Sequence, residues 1–341
     1  MQPFRFARTT ETKSAVLMHG SSANDASSSE SVSAQYLAGG TTLLDLMKLG
    51  VMRPEQVIDI NDLEHGKAGN IEFGADGLRL GAMSRMSAAA DHPDIRRNFP
   101  VVSQSLQLAA SAQIRNMASL GGNVLQRTRC TYFRDVSYEN CNKRKPGSGC
   151  AALDGFNRPH AVLGTSDQCI ATYPGDFAQA LIALDALVEV VGRNGIREFP
   201  FSKLHRQPGE APHLETTLAP EEMIMSFYIP KTPYARRSLF LKVRDRKSYE
   251  FALASAAVAL ELDRDRVKQA RIALGGVATV PWRASKAEQI LVGERLNDAI
   301  LDTAAEVAFK DAVSRRHNAF KVELGKRTLV RAVREAAAME I

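Results

Sequence analysis

The sequence predicts an α+β chain built from two adjoining lobes and a C-terminal module, and three observations carry that reading. Strand-like runs alternate with amphipathic helical stretches over the first 230 residues. An irregular segment, about 127–172, interrupts this rhythm. After the linker KTPYARR (231–237), further strand candidates lead into two helical stretches. At 341 residues the chain exceeds the usual size of a single core. The boundaries that follow are 1–62 and 63–230 for the two lobes, with the insertion inside the second, and 235–341 for the C-terminal module.

The Ser-rich stretch GSSANDASSSESVSAQ (20–35) reads as a flexible surface loop with nothing catalytic in it. YLAGGTTLLDLMKLG follows as a short strand, a Gly-Gly turn, a Thr cap and a helix whose apolar face holds Leu43, Leu44, Met47 and Val51. QVIDI (56–60) and LRLGAM (78–83) read as strands, and 101–125 as one helix running into a second Gly-Gly turn. The segment 127–172 mixes Pro, Gly, Asn and charges without a sustained period, so it looks inserted. DFAQALIALDALVEVVG (176–192) resumes a helix-then-strand pattern that FYIP (227–230) closes. SLFLKV, FALASAAVALEL and ARIALGGVA supply strand or strand-helix candidates, and helices are expected over about 297–316 and 319–338. No repeat of fixed period is present.

Composition narrows the function classes. Hydrophobic residues at 45% and charged residues at 24% suit a globular chain, and a formal charge of +6 spread over this length does not suggest nucleic-acid binding. No run approaches 18 apolar residues, and MQPFRFARTTETKSAVLMHG lacks the apolar core of a signal peptide. Neither a membrane span nor an export signal on this chain is expected.

AGGTT (38–42) opens a predicted helix. Glycines there admit positive φ and close approach of a ligand, while the helix start offers N–H groups and partial positive charge. Such a loop can cradle phosphate. SLGGN (119–123) has the same ingredients, and two such loops converging could clamp the two phosphates of one dinucleotide, although either pair is also an ordinary tight turn. GSGCAA (147–152) nearly matches a Rossmann fingerprint, but Pro146 precedes it and no strand leads in.

All four cysteines, Cys130, Cys141, Cys150 and Cys169, fall within 40 residues, which random scatter achieves in about one chain in a hundred. Their spacing matches no C-x2-C pattern. On the residues alone an iron–sulfur cluster and a structural zinc stand level, with His160 as a substitute zinc ligand; two disulfides or unligated thiols are further readings. Arg127, Arg129, Lys143, Arg144 and Lys145 are placed to offset an anionic cluster, and the N–H groups of 147–149 to donate to its sulfur.

The strings YLAGGTTLLDLMK, IRNMASLGGN, GDFAQALIALDALVEV, KVRDRKSYEFALASAAVAL and ALGGVATVPWRASKAE together resemble the FAD-binding subunits of molybdenum hydroxylases, the xanthine dehydrogenase and carbon monoxide dehydrogenase group. The resemblance runs from about 36 to 290. It implies a two-lobed FAD fold of the vanillyl-alcohol-oxidase type and a C-terminal domain of the CO dehydrogenase flavoprotein type. It further implies that Ala38, Gly39, Gly40, Thr41 and Thr42 form one pyrophosphate loop and Ser119, Gly121, Gly122 and Asn123 the other. Asp176 matches an acidic position beside the FAD and Lys242 one near the flavin ring, with Arg246 and Tyr249 as weaker neighbours. The insertion resembles that of the FAD subunits of bacterial periplasmic aldehyde oxidoreductases and, more loosely, 4-hydroxybenzoyl-CoA reductases, which implies that all four cysteines ligate a [4Fe–4S] cluster.

The implied role is electron transfer within a heterotrimer. A large subunit would carry the molybdenum cofactor and oxidise an aldehyde, a small one would carry two [2Fe–2S] clusters, and this chain would pass electrons through FAD to an external acceptor. The compartment implied is periplasmic by co-export with a partner, or cytoplasmic. A stand-alone FAD oxidoreductase of the same fold, and an FAD subunit whose cysteines hold zinc, are the alternatives.

Overall fold

A computed structural model describes residues 1–24 and 34–341. The first sheet is three-stranded and parallel, in the order β1 (Arg5–Arg8), β3 (Gln56–Asp59), β2 (Ala34–Leu37). Helix α1 (Thr12–Asn24) joins β1 to this lobe, and α2 (Leu43–Lys48) connects β2 to β3 as the crossover that parallel strands require. The expected loop over 20–35 is therefore shorter: residues up to 24 extend α1, 34 and 35 open β2, and the remainder of that reading lies outside the described residues. In α2 the buried face is Leu43, Leu46 and Met47, at i, i+3 and i+4, whereas Leu44 is exposed. Gly50, at φ +71°, ends this helix by donating its N–H to the Met47 carbonyl.

The second sheet is antiparallel, in the order β4 (Ile71–Phe73), β5 (Gly77–Gly81), β8 (Met223–Pro230), β6 (Leu187–Gly192), β7 (Gly195–Pro200). Between β5 and β6 run α3 (Met86–Asp91), α4 (Pro93–Asn98), α5 (Pro100–Gln107), α6 (Ala112–Met117), α7 (Leu120–Val124), α8 (Thr131–Arg134) and α9 (Phe177–Ala183). The single helix expected over 101–125 is thus three. Ala110 breaks it with φ +50°, and Ser111 and Ser119 start new helices by accepting hydrogen bonds from the N–H of Ile114 and Gly122. Apart from α8, the segment 127–172 has no helix or strand longer than an isolated bridge, as its composition predicts.

The third sheet is antiparallel, β12 (Trp282–Arg283), β11 (Arg266–Gly275), β10 (Ala254–Asp263), β9 (Ser238–Val243). It is followed by α10 (Ser285–Leu291), α11 (Asp298–Ala308) and α12 (Phe320–Ala337). Strand β10 is buried on both faces. Ala257 and Ala259 join the core of the second lobe with α5 and α9, while Ala256, Val258 and Leu260 join that of α10–α12. The alanines let helices approach both sides, and the third sheet thereby shares a core with the second lobe. Residues 231–237 are packed as well: the Tyr234 hydroxyl donates to Asp185 at 2.9 Å, and Arg237 donates to the carbonyls of Ala337 and Met339. The helix expected over 297–316 stops at Ala308, where Phe309 turns in to pack on Gly325 of α12.

Candidate functional site

A cleft of about 540 Å³ opens between the β2–α2 loop, the 118–128 segment and the 205–224 loop, a size that suits a cofactor-sized ligand. Ala38, Gly39, Gly40, Thr41, Thr42, Ser119, Gly121 and Gly122 all line it. The two glycine segments touch: a Cβ on Gly39 would strike the Met117 carbonyl. Arg85 reinforces the contact by donating to that same carbonyl while pairing with Glu64 at 2.6 Å.

The segments differ in what they present. Gly40 takes φ +71°, and the N–H groups of Gly40, Thr41 and Thr42 make no hydrogen bond to protein among the described residues. Thr42 occupies the N-cap of α2 yet makes no side-chain cap bond, contrary to the expected capping. The loop therefore offers loose donors and hydroxyls at a helix start. In the second segment the N–H groups of Leu120 and Gly121 go to Ser84 and Ala82, and that of Gly122 goes to the Ser119 hydroxyl. Its glycines lie inside α7 rather than in a turn, and their function is space: a Cβ on Gly121 would sit 3.1 Å from that of Ala82. Asn123 is not in the lining, and its Oδ1 is buried without a partner.

Asp176 and Lys242 lie together and outside the cleft lining. Lys242 Nζ donates to Asp176 at 2.6 Å and to the Leu108 carbonyl at 3.1 Å, with both side chains buried. Burial raises the Asp176 carboxyl even against the opposing effect of Lys242. Arg246 and Tyr249 are exposed, and Arg246 donates to the Tyr249 carbonyl.

Sequence reasoning passed over several groups that line the cleft. Tyr36 donates to the Glu221 carbonyl at 2.8 Å and stacks near the buried His19, whose pKa burial lowers. Glu215 accepts from Arg127 at 2.7 Å and sits 3.4 Å from Lys143 Nζ. Burial raises the Glu215 carboxyl, but these two cations outweigh it and hold the group below the ordinary range. The aperiodic run 205–222 between β7 and β8 was the available signal, since long loops in compact domains tend to be functional.

The four cysteines converge on one small pocket of about 10 Å³, walled also by Phe133, Asn142 and Lys143. None is in a disulfide, and Cys130, Cys141 and Cys169 are buried. Cys141 and Cys150 face each other across an antiparallel bridge. Cys150 and Cys169 act as a pair, Cys169 holding Cys150 down to about 6 while Cys150 drives Cys169 up; burial pushes Cys130 up to about 12. Among the described residues no three His, Cys, Asp or Glu side chains are gathered as a single metal ion requires. His160 Nε2 lies 3.1 Å from Cys130 Sγ, and burial, aided by Lys321, lowers the imidazole to about 4.

The expected charge balance is organised differently. Arg129 and Arg134 pair with Asp45 of α2, Arg127 and Lys143 with Glu215, and Arg144 donates to the carbonyls of Tyr132, Phe133 and Tyr138. The Gly149 N–H goes to Asn142 instead of sulfur. The Ala171 N–H donates to Cys169 Sγ at 3.4 Å, whereas the Phe133 and Leu153 N–H groups go to the carbonyls of Cys130 and Cys150. Lys143 and Ala171 line both the cleft and the cysteine pocket, and Leu46 of α2 packs on Cys130, Cys141 and Cys169. One wall separates the two sites.

No described helix is long and apolar enough to cross a membrane. The family of the FAD binding domain in molybdopterin dehydrogenase matches residues 13–232, and that of the CO dehydrogenase flavoprotein C-terminal domain matches 240–336. The chain is 45% identical over 307 residues to the aldehyde oxidoreductase FAD-binding subunit PaoB of Escherichia coli K12, covering 89% of this chain and 92% of that one. It is 26% identical over 275 residues to the carbon monoxide dehydrogenase medium chain of Afipia carboxidovorans, covering 81% and 77%. The fold resembles a chain of carbon monoxide dehydrogenase from Hydrogenophaga pseudoflava with a TM-score of 0.75 at 22% identity, over 99% of this chain and 98% of that one. The two-lobed FAD-binding architecture and the C-terminal module expected from the sequence are thus both present, and the chain belongs to the FAD-binding flavoprotein family of the molybdopterin dehydrogenases.

Proposed function

We propose that this chain is the FAD- and [4Fe–4S]-carrying electron-transfer subunit of a heterotrimeric molybdenum hydroxylase that oxidises aldehydes to carboxylic acids. The observation that carries the reading is the meeting of two glycine segments, about eighty residues apart in sequence, at the edge of one cofactor-sized cleft. The aldehyde is proposed from the relative that is 45% identical, an aldehyde oxidoreductase FAD-binding subunit. A large molybdenum subunit, a small subunit with two [2Fe–2S] clusters and an external acceptor complete the proposed assembly.

The residues fit FAD. Gly40, Thr41 and Thr42 supply donors for a pyrophosphate, and Ser119, Gly121 and Gly122 supply a surface without side chains on which it can lie. Gly39 sets the closeness of the two segments, Ala38 lines the cleft beside it, and Asn123 lies outside the lining. Asp176 and Lys242 enter as a positioning pair that holds the start of α9 against β9. Bound FAD accepts electrons singly from iron–sulfur centres and delivers them singly or in pairs.

The cysteine pocket brings four thiols to one place, the donor type that an iron–sulfur cluster takes, although among the described residues no group of three or more His, Cys, Asp or Glu is gathered as for a metal ion. A lone zinc holds its sulfurs about 3.8 Å apart, at Zn–S distances of about 2.3 Å, whereas a cubane needs them more widely spread. Such a cluster would add a one-electron site behind the wall formed by Lys143 and Ala171.

Anaerobic purification with cofactor analysis tests the reading. About one FAD with about four iron and four sulfide per chain is the expected result. Flavin with about one zinc and no sulfide would remove the cluster from the proposal, and protein free of flavin would overturn it. A tagged chain that brings down no molybdenum subunit would rule out the heterotrimer.

A further inference from the structure

We propose that His160 is a positioning residue that donates an N–H···S hydrogen bond to Cys130 and thereby raises the reduction potential of the cluster, with Lys321 of α12 holding it in place. The inference rests on the cluster reading above and concerns this chain's own residues.

The ring's two nitrogens assign the proton. Nε2 lies 3.1 Å from Cys130 Sγ, while Nδ1 is buried with no partner. A thiolate sulfur only accepts. With the proton on Nδ1, the Asn157 carbonyl could accept it, but a bare nitrogen lone pair would face an anionic sulfur. With the proton on Nε2, that sulfur accepts the hydrogen bond.

The backbone around His160 is held from the C-terminal module. Lys321, fully buried, donates its Nζ to the carbonyls of Pro159 at 3.0 Å, His160 at 3.1 Å and Gly276 at 2.6 Å. Asn318 donates to the Ala161 carbonyl at 3.1 Å, and the His317 N–H donates to Asn157 Oδ1 at 3.0 Å. A buried ammonium is hard to sustain, and burial lowers this one to about 7; its three bonds tie the 159–160 backbone to Gly276 at the end of β11. Hydrogen bonds to sulfur and nearby positive charge both favour the more negative, reduced state of an iron–sulfur centre.

The test is an anaerobic redox titration of the holo-complex, with mediators and dithionite, read by the EPR signal of the reduced cluster after iron and sulfide have been counted in every sample. His160→Phe keeps the ring and removes the donor; its midpoint is expected to fall by about 59 mV, a tenfold change in a one-electron equilibrium. His160→Gln, which retains an N–H, should stay nearer the parent value. Lys321→Met retains every group that touches sulfur but releases the backbone that carries His160, and should shift the midpoint in the same direction as His160→Phe. A fully loaded His160→Phe protein with the parent midpoint overturns the inference. If that variant does not retain iron, a loaded Lys321→Met protein with an unshifted midpoint overturns it instead. Parent protein without iron and sulfide would overturn the cluster reading itself, so the two failures are distinct.

Discussion

The cleft and the cysteine pocket share a wall but are built on opposite plans. The cleft is about 540 Å³, edged by glycines and by N–H groups that no described protein atom uses; the pocket is about 10 Å³ and is lined by all four cysteines. The cleft is organised by regular elements, the β2–α2 connection and α7. The pocket is organised by irregular chain held through ion pairs such as those of Asp45 with Arg129 and Arg134. A site preformed by backbone can bind its ligand after folding. A site made of converging side chains depends on its ligand for its final shape.

Substitutions should separate the two. The largest effect is expected at Gly39→Ala, where the added Cβ meets the Met117 carbonyl and forces the glycine segments apart. Overpacking of this kind costs about 1–3 kcal/mol, and flavin per chain, read by absorbance, should drop to about a tenth or less, the tenfold loss that ~1.4 kcal/mol produces. Unchanged flavin would mean that the contact of the two segments does not shape the cleft. Cys150→Ser should abolish most of the iron and sulfide while flavin per chain stays the same; joint loss of both would show that the wall couples the sites. The smallest effect is expected at Glu215, whose carboxyl is held below the ordinary range. Its stabilising contribution is complete above the carboxylate's unfolded value and disappears as pH falls through the lowered folded one. Acid melts of Glu215→Gln should therefore lack that fall in stability, a difference on the order of 1 kcal/mol. Parallel curves for the two proteins would show that the pairing with Arg127 and Lys143 adds nothing.

The sequence was most legible where periodicity and burial agree. Leu43 and Met47 marked α2, and the apolar run FALASAAVALEL marked a strand or strand-helix candidate where β10 lies, its burial on both faces leaving no alternation to read. Legibility failed where single residues interrupt a good pattern, as when Ala110 at φ +50° and the caps Ser111 and Ser119 divide 101–125 into three helices. The elements β1 and β7 carry short or exposed runs with no core-facing period, so nothing in them announced a strand. The convergence of the cysteines was legible in their clustering, because four thiols in one loop segment have few ways to avoid one another. Their partners were not. Asp45 with Arg134, Glu215 with Lys143, and Lys321 with the His160 carbonyl are separated by 89, 72 and 161 residues. Pairings at that range are set by how three sheets stack, which no local pattern records.

The Lys321 clamp orders events in time. The ammonium that fixes the loop around His160 belongs to a helix far downstream of Cys169, beyond the whole third sheet. Synthesis delivers the four cysteines first, and domains settle in the order they emerge. The cysteine loop therefore leaves the ribosome without its clamp and takes its final arrangement only once α12 docks.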